Sequence, residues 1–368
     1  MKSKKYRVFV STIIAMGLML VMSDDITSDS VLSILCGSPD IEVSDFYNRV
    51  IGGTKNKSLD ENIVIVNIDS LVERKDLAEL IQQVNACAPR LIAVDVIFEE
   101  HKDSIGDLLL MNTLRDTKNL LMAQALNPYT MIPEQDLITE EFPKALRGII
   151  NLTENVRYGI IRDFTPFFGM EEEYMSFPCA IVDMVKPDVI DKVKKRDKDE
   201  ETIFFSPTEF YVIDPSNIAN NMVSLKDKIV LIGTVTDPLD LHRTPIDDDY
   251  PGIMLQAQAV SMLLHNKLIR EFSDVINWIL AIVSCLLMTC IYVYMDTSNM
   301  QNIGSRIVPI LWMLLIVWIG CYAFSHWQIY LDAPKTLLLS AFAALVIDFW
   351  IALGGIMEYM CKFRTKKE

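Results

Sequence analysis

The C-terminal third of the chain contains three long apolar segments, and these constrain the fold most strongly. Residues 275–295 and 307–325 contain no charged side chain, and residues 336–357 contain one, Asp348. Each segment has the roughly 20 residues that a helix needs to cross about 30 Å of hydrocarbon. Tryptophan and tyrosine side chains gather toward the segment ends, as in an interfacial aromatic belt. We therefore predict an α-helical transmembrane bundle of three helices within residues 273–357.

The N-terminus gives a weaker membrane signal. Residues 8–22 are mostly apolar, but they number only fifteen and follow a stretch with four basic residues. This length lies between that of a membrane anchor and that of a signal peptide. Because no small-x-small cleavage pattern precedes Ser23, we favour an N-terminal transmembrane anchor over residues 1–23. A cleaved signal peptide is the open alternative.

Basic residues lie at both ends of the chain. Four precede the first apolar segment, and four more lie in residues 358–368, after the last one. Basic flanks of membrane helices stay in the cytoplasm, so we predict that both termini are cytoplasmic and that residues 358–368 form a basic tail. The long region between, residues 24–272, is then extracytoplasmic, and the chain is a multi-pass protein of the lipid bilayer.

The 368-residue chain is acidic, with a formal net charge of −15. Residues 1–22 carry +4 and residues 273–368 sum to zero, so residues 23–272 carry −19. The chain nowhere assembles the basic surface that neutralises phosphates, which excludes nucleic acid as a partner. Seven scattered cysteines and four dispersed histidines form neither a disulfide scaffold nor a CxxC or Cys/His zinc motif, so we expect no metal and no cofactor.

The extracytoplasmic region has the pattern of an α/β domain. Two β-branched apolar runs, residues 62–68 and 91–97, flank a stretch with helical apolar spacing between Leu77 and Val84. Both runs are almost continuously apolar, which is typical of neighbouring strands in a sheet covered on both faces. We therefore predict a largely parallel or mixed sheet. Further strands are expected at residues 120–123, 148–152, 158–164 and 229–232, and helices at residues 105–114, 177–185 and 253–264.

Acidic residues follow the first two predicted strands. Asp69 comes directly after the first, and Asp95 and Glu100 lie at the end of the second. Ligands of open α/β sheets bind beyond the carboxyl ends of the strands, so these carboxylates predict a site for a cation or a polar ligand. The alternative is structural, with Asp69 capping a turn and Glu100 simply exposed to solvent.

Residues 226–270 combine a buried strand, a polar connection and a closing helix. Within the connection, Asp237, Asp240 and His242 have a spacing that a metal ion could use. Acid-rich loops with a single histidine more often stay solvated, which is the alternative interpretation.

Five segments occur in an informative order: DFYNRVIGG, IVIVNIDS, LIAVDVIFEE, YGIIRDF and KIVLIG. They are followed by Asp240 with Thr244, and by a helix that opens after Pro251. Over residues 43–271, these motifs resemble those of the CHASE family of type two, the cyclase and histidine kinase-associated sensory extracellular domain of bacterial receptors. The resemblance implies a periplasmic sensory domain, held in the bacterial inner membrane, that binds a small molecule or an envelope component.

The resemblance also implies a receptor without catalytic residues, in which the ligand-binding positions are Asp69, Asp95, Glu100, Arg162, Asp240 and Thr244. The chain departs from the family at Met254 and Gln256, where members often place Glu and His, so any role of those two groups is absent here. Relatives continue into an output domain after the third membrane helix, whereas eleven residues follow it here. We expect a stand-alone form that signals to a separate signalling or membrane-complex protein, with a homo-oligomer as a further option.

Two other functions are compatible with the sequence. A metal-dependent periplasmic hydrolase would use Asp69, Asp95 and Glu100, and a scaffold subunit of an envelope complex would need no ligand. Within the membrane, an ionised Asp348 costs about 2.5–3.5 kcal/mol on insertion scales. We expect this side chain to make a polar contact that organises the helix bundle or a partner's helix, rather than to act in a proton relay.

Overall fold

The computed structural model describes residues 4–22, 43–54, 58–71, 73–127, 129–137, 146–153, 159–169, 173–205, 208–295, 301–331 and 335–349. The chain divides into two compact units, an α/β unit of Asn48–Ile269 and a helical unit of Met1–Tyr47 with Arg270–Glu368. In chain order, the α-helices are α1 (Lys4–Met22), α2 (Val43–Thr54), α3 (Arg74–Ala86), α4 (Ser104–Asp116), α5 (Phe177–Val185), α6 (Pro187–Lys194), α7 (Met222–Leu225), α8 (Gly252–Leu264), α9 (Asp274–Met295) and α10 (Gln301–Trp327), and residues 335–349 form a further helical segment. The strands of the main sheet are β1 (Ser58–Asn67), β2 (Leu91–Val94), β3 (Leu120–Gln124), β4 (Arg147–Ile149), β5 (Thr208–Ile213) and β6 (Ile229–Gly233).

The sheet of the α/β unit has the strand order β4-β3-β2-β6-β1-β5, and all of these pairings are parallel. Strand β6 is inserted between β1 and β2, so that Ile229 pairs with Ile63 on one side and with Leu91 on the other. Every residue of β2 and β6 is buried, as a sheet covered on both faces requires. The prediction of an α/β domain with a largely parallel sheet is confirmed.

Helices cover both faces of the sheet. On one face, α3 and α4 form a core in which Ile81 and Leu110 pack with Val64 of β1. On the other face, α5 contacts β2, β3 and β4, and α8 contacts β1, β5 and β6. There the alternate residues of β1, Ile63 and Ile65, are fully buried, because successive side chains of a strand point to opposite faces.

Five of the six predicted strands lie in this sheet, and the predicted helices correspond to α3, α4, α5 and α8. The strand predicted at 158–164 is found only in part, as the short strand Asp163–Phe164 outside the main sheet. In the described part of that segment, Ile160 bridges Arg243, and Asp163–Phe164 pairs antiparallel with Glu201–Thr202. The edge strand β5 was not predicted. Apolar spacing reports local burial and does not identify the partner strand, so it cannot separate a strand of the main sheet from a short buried extension.

Among its described residues, the helical unit contains two helices that are long and apolar enough to cross a membrane, judged by length and composition. They are Asp274–Val293 within α9 and Ile307–Trp327 within α10. They correspond to the predicted segments 275–295 and 307–325. The apolar part of α1, Val8–Gly17, is shorter.

The third predicted span, residues 336–357, lies only partly within the described residues. Residues 335–349 are helical, and the rest of the segment falls outside the described ranges. Three transmembrane helices and an N-terminal anchor therefore stay predictions.

Polar contacts connect helices inside the helical unit. The indole Nε1 of Trp312 donates a hydrogen bond to Ser284 Oγ at 3.0 Å, which joins α10 to α9. The hydroxyl of Tyr292 on α9 donates a hydrogen bond to the carboxylate of Asp348. Asp348 thus has a hydrogen-bond donor within its own chain.

Candidate functional site

Two clefts open at the carboxyl edge of the sheet in the α/β unit. The larger one, of about 430 Å³, lies beyond the ends of β2, β3 and β4 and is closed by the loop that leads into α8. We name it the acidic cleft, because Asp95, Asp240, His242 and Gln256 are among the residues that line it. The second, of about 330 Å³, lies between the ends of β1 and β2 and is lined by Arg74, so we name it the Arg74 cleft.

Two carboxylates, those of Asp95 and Asp240, line the acidic cleft and repel each other electrostatically. Asp95 directly follows β2, and its backbone N–H donates to the carbonyl of Ile232 in β6 at 2.8 Å. Asp240 ends the short 3-10 turn Pro238–Asp240 in the loop after β6. Burial, and then the negative charge of Asp240, raise the pKa of Asp95 from its ordinary 3.8 to about 7. Near neutral pH, Asp95 is therefore protonated part of the time and can then donate a hydrogen bond.

The carboxylate of Asp240 lies against the first turn of α8. A Cβ atom built on Gly252, the first residue of α8, would meet Asp240 Oδ1 at 2.2 Å, so only glycine allows this approach. The imidazole Nε2 of His242 lies 3.2 Å from the same Oδ1. The Asp240 carboxylate therefore lies at the positive end of the α8 dipole.

Gln256, one turn further along α8, brings a buried amide to the cleft. Its side chain is 3% exposed, and its Nε2 donates to the carbonyl of Ile150 at 2.8 Å. Its Oε1 is buried and has no hydrogen-bond partner. An unsatisfied buried acceptor costs about 1–3 kcal/mol, so a group that donated a hydrogen bond to this oxygen would stabilise the folded state.

The sequence analysis treated position 256 only as a departure from the family pattern. A signal was present, because two glutamines, Gln256 and Gln258, interrupt the otherwise apolar helix GIMLQAQAVSMLL, and both are buried. Buried amides need partners. Gln258 has one, since its Nε2 donates to the carbonyl of Phe204 at 2.8 Å.

Asp69, in the loop after β1, forms hydrogen bonds with the loop after β6. Its carboxylate accepts hydrogen bonds from the backbone N–H of Val235 at 3.1 Å and from the backbone N–H and hydroxyl of Thr236 at 3.0 and 2.8 Å. Burial raises the pKa of Asp69, but the hydrogen bonds from Thr236, Val235 and Asn67 outweigh that effect and lower it. These contacts join Asp69 to the loop after β6, whereas the structural alternative expected Asp69 to cap the turn that follows it.

Two further candidate positions do not line the acidic cleft. The hydroxyl of Thr244 donates to the carbonyl of Asp247 at 2.9 Å and accepts from the backbone N–H of Asp247 at 3.1 Å, which closes a turn in the loop before α8. Arg162 is buried, and its carbonyl accepts from the backbone N–H of Ile203 at 2.8 Å. Its chain neighbour Ile161 does line the cleft.

The Arg74 cleft contains a buried ion pair that the sequence analysis did not identify. Arg74 at the start of α3 pairs with Asp107 in the first turn of α4, and each side chain is 6% exposed. The guanidinium also donates to the carbonyl of Glu100 and lies 5.5 Å from the ring centroid of Phe98. His101 Nδ1 lies 3.1 Å from Asp107 Oδ2. Glu100 thus contributes its backbone to this network.

Asp69, Asp95 and Glu100 are not brought together. Asp69 binds the loop after β6, Asp95 lies in the acidic cleft, and Glu100 lines the Arg74 cleft. Within the described ranges, no group of three or more His, Cys, Asp or Glu side chains could hold a metal ion. Asp237 uses its carboxylate to accept from the backbone N–H of Leu239 at 3.0 Å. The metal-dependent hydrolase therefore finds no support in these residues.

A serine and a histidine contact an aspartate at the N-terminal end of β1, away from the two clefts. Asp60 Oδ2 accepts from Ser261 Oγ at 2.5 Å and lies 3.2 Å from His265 Nε2. Both side chains contact the same carboxylate oxygen, and the serine hydroxyl donates to Asp60 rather than to the imidazole. A nucleophilic serine needs the reverse arrangement, so this set connects α8 to β1 and does not form a hydrolytic triad.

Comparison with known proteins identifies the family. A family model described as the CHASE2 domain matches residues 32–291, which is more than half of the chain. The chain belongs to this family of extracellular sensory domains, and the resemblance noted from the motifs is confirmed. Comparisons with curated proteins and with solved structures returned no match.

We expect Asp107→Asn to destabilise the protein by about 3 kcal/mol, because it leaves the buried guanidinium of Arg74 without its counter-charge. Denaturant unfolding followed by circular dichroism measures the loss. The double variant Arg74→Met with Asp107→Leu should recover much of it. Asp116→Asn, at the exposed end of the same helix, should change stability by less than about 0.5 kcal/mol. An Asp107→Asn protein as stable as the wild type would contradict the role of the ion pair.

Because the pKa of Asp95 is raised in the folded state, the native protein holds this proton more tightly than the unfolded chain. The resulting stabilisation is complete below about pH 4 and is lost as the pH rises to about 7. Asp95→Asn cannot ionise, so its stability relative to the wild type should rise by about 3 kcal/mol between pH 5 and pH 8. Unfolding free energies measured at both pH values test this. A difference between the two proteins that does not change with pH would refute it.

Proposed function

We propose that the protein is a membrane-anchored sensor whose α/β unit lies outside the cytoplasmic membrane of a bacterium and binds a small polar molecule in the acidic cleft. Membership of a family of extracellular sensory domains supports a sensory role. The single observation that carries the proposal is Gln256, a residue that lines a cleft of about 430 Å³ and whose buried Oε1 has no hydrogen-bond partner. Ligand pockets typically measure roughly 300–1,000 Å³.

The position of the cleft also favours ligand binding. It lies beyond the carboxyl ends of parallel strands, where open α/β sheets bind their ligands. Its walls combine apolar side chains, among them Ile150 and Ile161, with a few polar groups. This combination is typical of small-molecule sites, because apolar contacts supply affinity and polar groups fix orientation.

A ligand in this cleft would act on α8. Asp240 and Gln256 lie at the first turns of that helix, and nine residues separate its last residue, Leu264, from the start of α9 at Asp274. A ligand that binds one position of α8 better than another shifts the population toward it. In this proposal, a separate signalling or membrane-complex protein detects the change through the membrane helices, which Asp348 helps to organise.

The orientation of the α/β unit can be tested by cysteine labelling. Asp214→Cys places a thiol at an exposed position of the α/β unit, and Ser298→Cys places one between the two candidate spans. With a membrane-impermeant maleimide applied to intact spheroplasts, we expect Asp214→Cys to react and Ser298→Cys to react only after permeabilisation. The wild type gives the background of the native cysteines, of which Cys87 and Cys179 are buried. Shielding of Asp214→Cys in intact spheroplasts would refute the extracytoplasmic placement.

Ligand binding can be tested by thermal unfolding of the full chain in detergent against amines, amino acids, sugars, dicarboxylates and nucleosides. At 100 times its Kd, a ligand stabilises by about 2.7 kcal/mol, so at least one compound should raise the unfolding midpoint by several degrees. Asp240→Asn and Gln256→Met should lose this response. Asp214→Asn, which removes a charge outside the cleft, should keep it.

Two results would contradict ligand binding in this cleft. One is the absence of any stabilising compound, and the other is a response that persists in both cleft variants. Co-purification of a stoichiometric partner without any such response would indicate a scaffold subunit instead.

A further inference from the structure

Three side-chain donor groups of the acidic cleft each already donate one hydrogen bond within the protein. The Nδ2 of Asn151 donates to the carbonyl of Leu126 at 3.4 Å, and the hydroxyl of Thr153 donates to Glu200. The Nε2 of Gln256 donates to the carbonyl of Ile150. The described residues that line the cleft include no arginine and no lysine.

The acceptors of the cleft are in excess. The Oε1 of Gln256 has no partner and is buried. Asp95 and Asp240 add two carboxylates, and the cleft side chain in contact with Asp240 is His242. A ligand that supplies hydrogen-bond donors complements these three acceptors.

From this geometry we propose that the acidic cleft selects a small organic cation, an ammonium compound, over neutral and anionic molecules of the same size. The inference rests on the proposed function and deepens it. An ammonium group carries up to three donors and no acceptor, so it can bind Gln256 Oε1 and a carboxylate at once. Its charge also offsets the repulsion between Asp95 and Asp240.

A bare metal ion fits the cleft less well than an organic cation does. The described residues offer no group of three or more side chains that could hold a metal. The cleft of about 430 Å³ has apolar walls, formed by residues such as Ile150, Leu152 and Ile161. These side chains can pack against a carbon skeleton, which a metal ion lacks.

Cation binding is coupled to protons. The titratable side chains that line the cleft are Asp95, Asp240 and His242. Because the pKa of Asp95 is raised to about 7, an ammonium compound must displace a proton from Asp95 below that pH. Its affinity should rise up to about tenfold per pH unit from pH 5 to 7 and level off above. A neutral ligand lacks this dependence.

The test uses the full chain in detergent at constant ionic strength. The cationic probes are methylamine, 1,4-diaminobutane and spermidine. The matched four-carbon controls are 1,4-butanediol, which is neutral, and succinate, which is anionic. At pH 8, we expect at least one amine to raise the unfolding midpoint and neither control to do so. Titration calorimetry at pH 5.5 and pH 8 should show at least tenfold tighter amine binding at pH 8.

Variants separate cleft binding from attraction to the acidic surface of a region that carries −19. Asp95→Asn and Gln256→Met should each weaken amine binding at pH 8 at least tenfold, whereas Asp214→Asn should bind as the wild type does. Asp95→Asn should also lose the pH dependence. Amine binding that persists in both cleft variants would overturn the inference, as would the failure of all three amines.

The experiment distinguishes failure of the cation selectivity from failure of ligand binding in the cleft. If 1,4-butanediol or succinate stabilises the protein and Gln256→Met abolishes the effect, the cleft is a ligand site and the selection for cations is wrong. If no compound of any class acts through the cleft, the proposed function fails as well.

Discussion

The candidate site depends on one constraint, the burial of a parallel sheet on both faces. Strands β2 and β6 have no polar side to present to solvent, so their polar neighbours in the chain can lie only at the strand ends. Parallel pairing then places all carboxyl ends at one edge. Asp95 after β2 and the loop after β6 therefore meet there. The insertion of β6 between β1 and β2 sends that loop over the ends of both neighbours.

At this edge, several side-chain donors are paired within the protein, whereas a buried acceptor has no partner. Asn151 and Thr153 give their protons to protein groups, while Gln256 keeps a buried oxygen without a partner. Burial, and then the negative charge of Asp240, raise the pKa of Asp95 to about 7. Such an arrangement lowers the stability of the empty protein. The buried Arg74–Asp107 pair shows the contrast, because its charges and most of its oxygens are satisfied within the fold.

Apolar patterning was sufficient to predict most of the sheet because strands buried on both faces leave continuous apolar runs, as in β2 and β6. It failed for β5, whose edge position leaves Tyr211 and Val212 exposed and breaks the pattern. The site was predicted only in part. Asp95 and Asp240 do line one cleft, whereas Asp69 and Glu100 serve loop contacts instead. Arg74 and Asp107 are 33 residues apart, and no local pattern pairs them.

The sequence by itself determined the family, the acidic character of residues 23–272, the α/β class and the presence of carboxylates after the strands. These properties follow from composition and from short-range periodicity, which a chain carries whether or not it is folded. Only the tertiary structure decided which polar groups interact. It brings the charge of Asp240 near Asp95, and it pairs the Nε2 of Gln256 with the carbonyl of Ile150. Such pairings depend on the packing of distant segments, because hydrogen bonds and like-charge repulsion act over a few ångströms in space and are independent of separation along the chain.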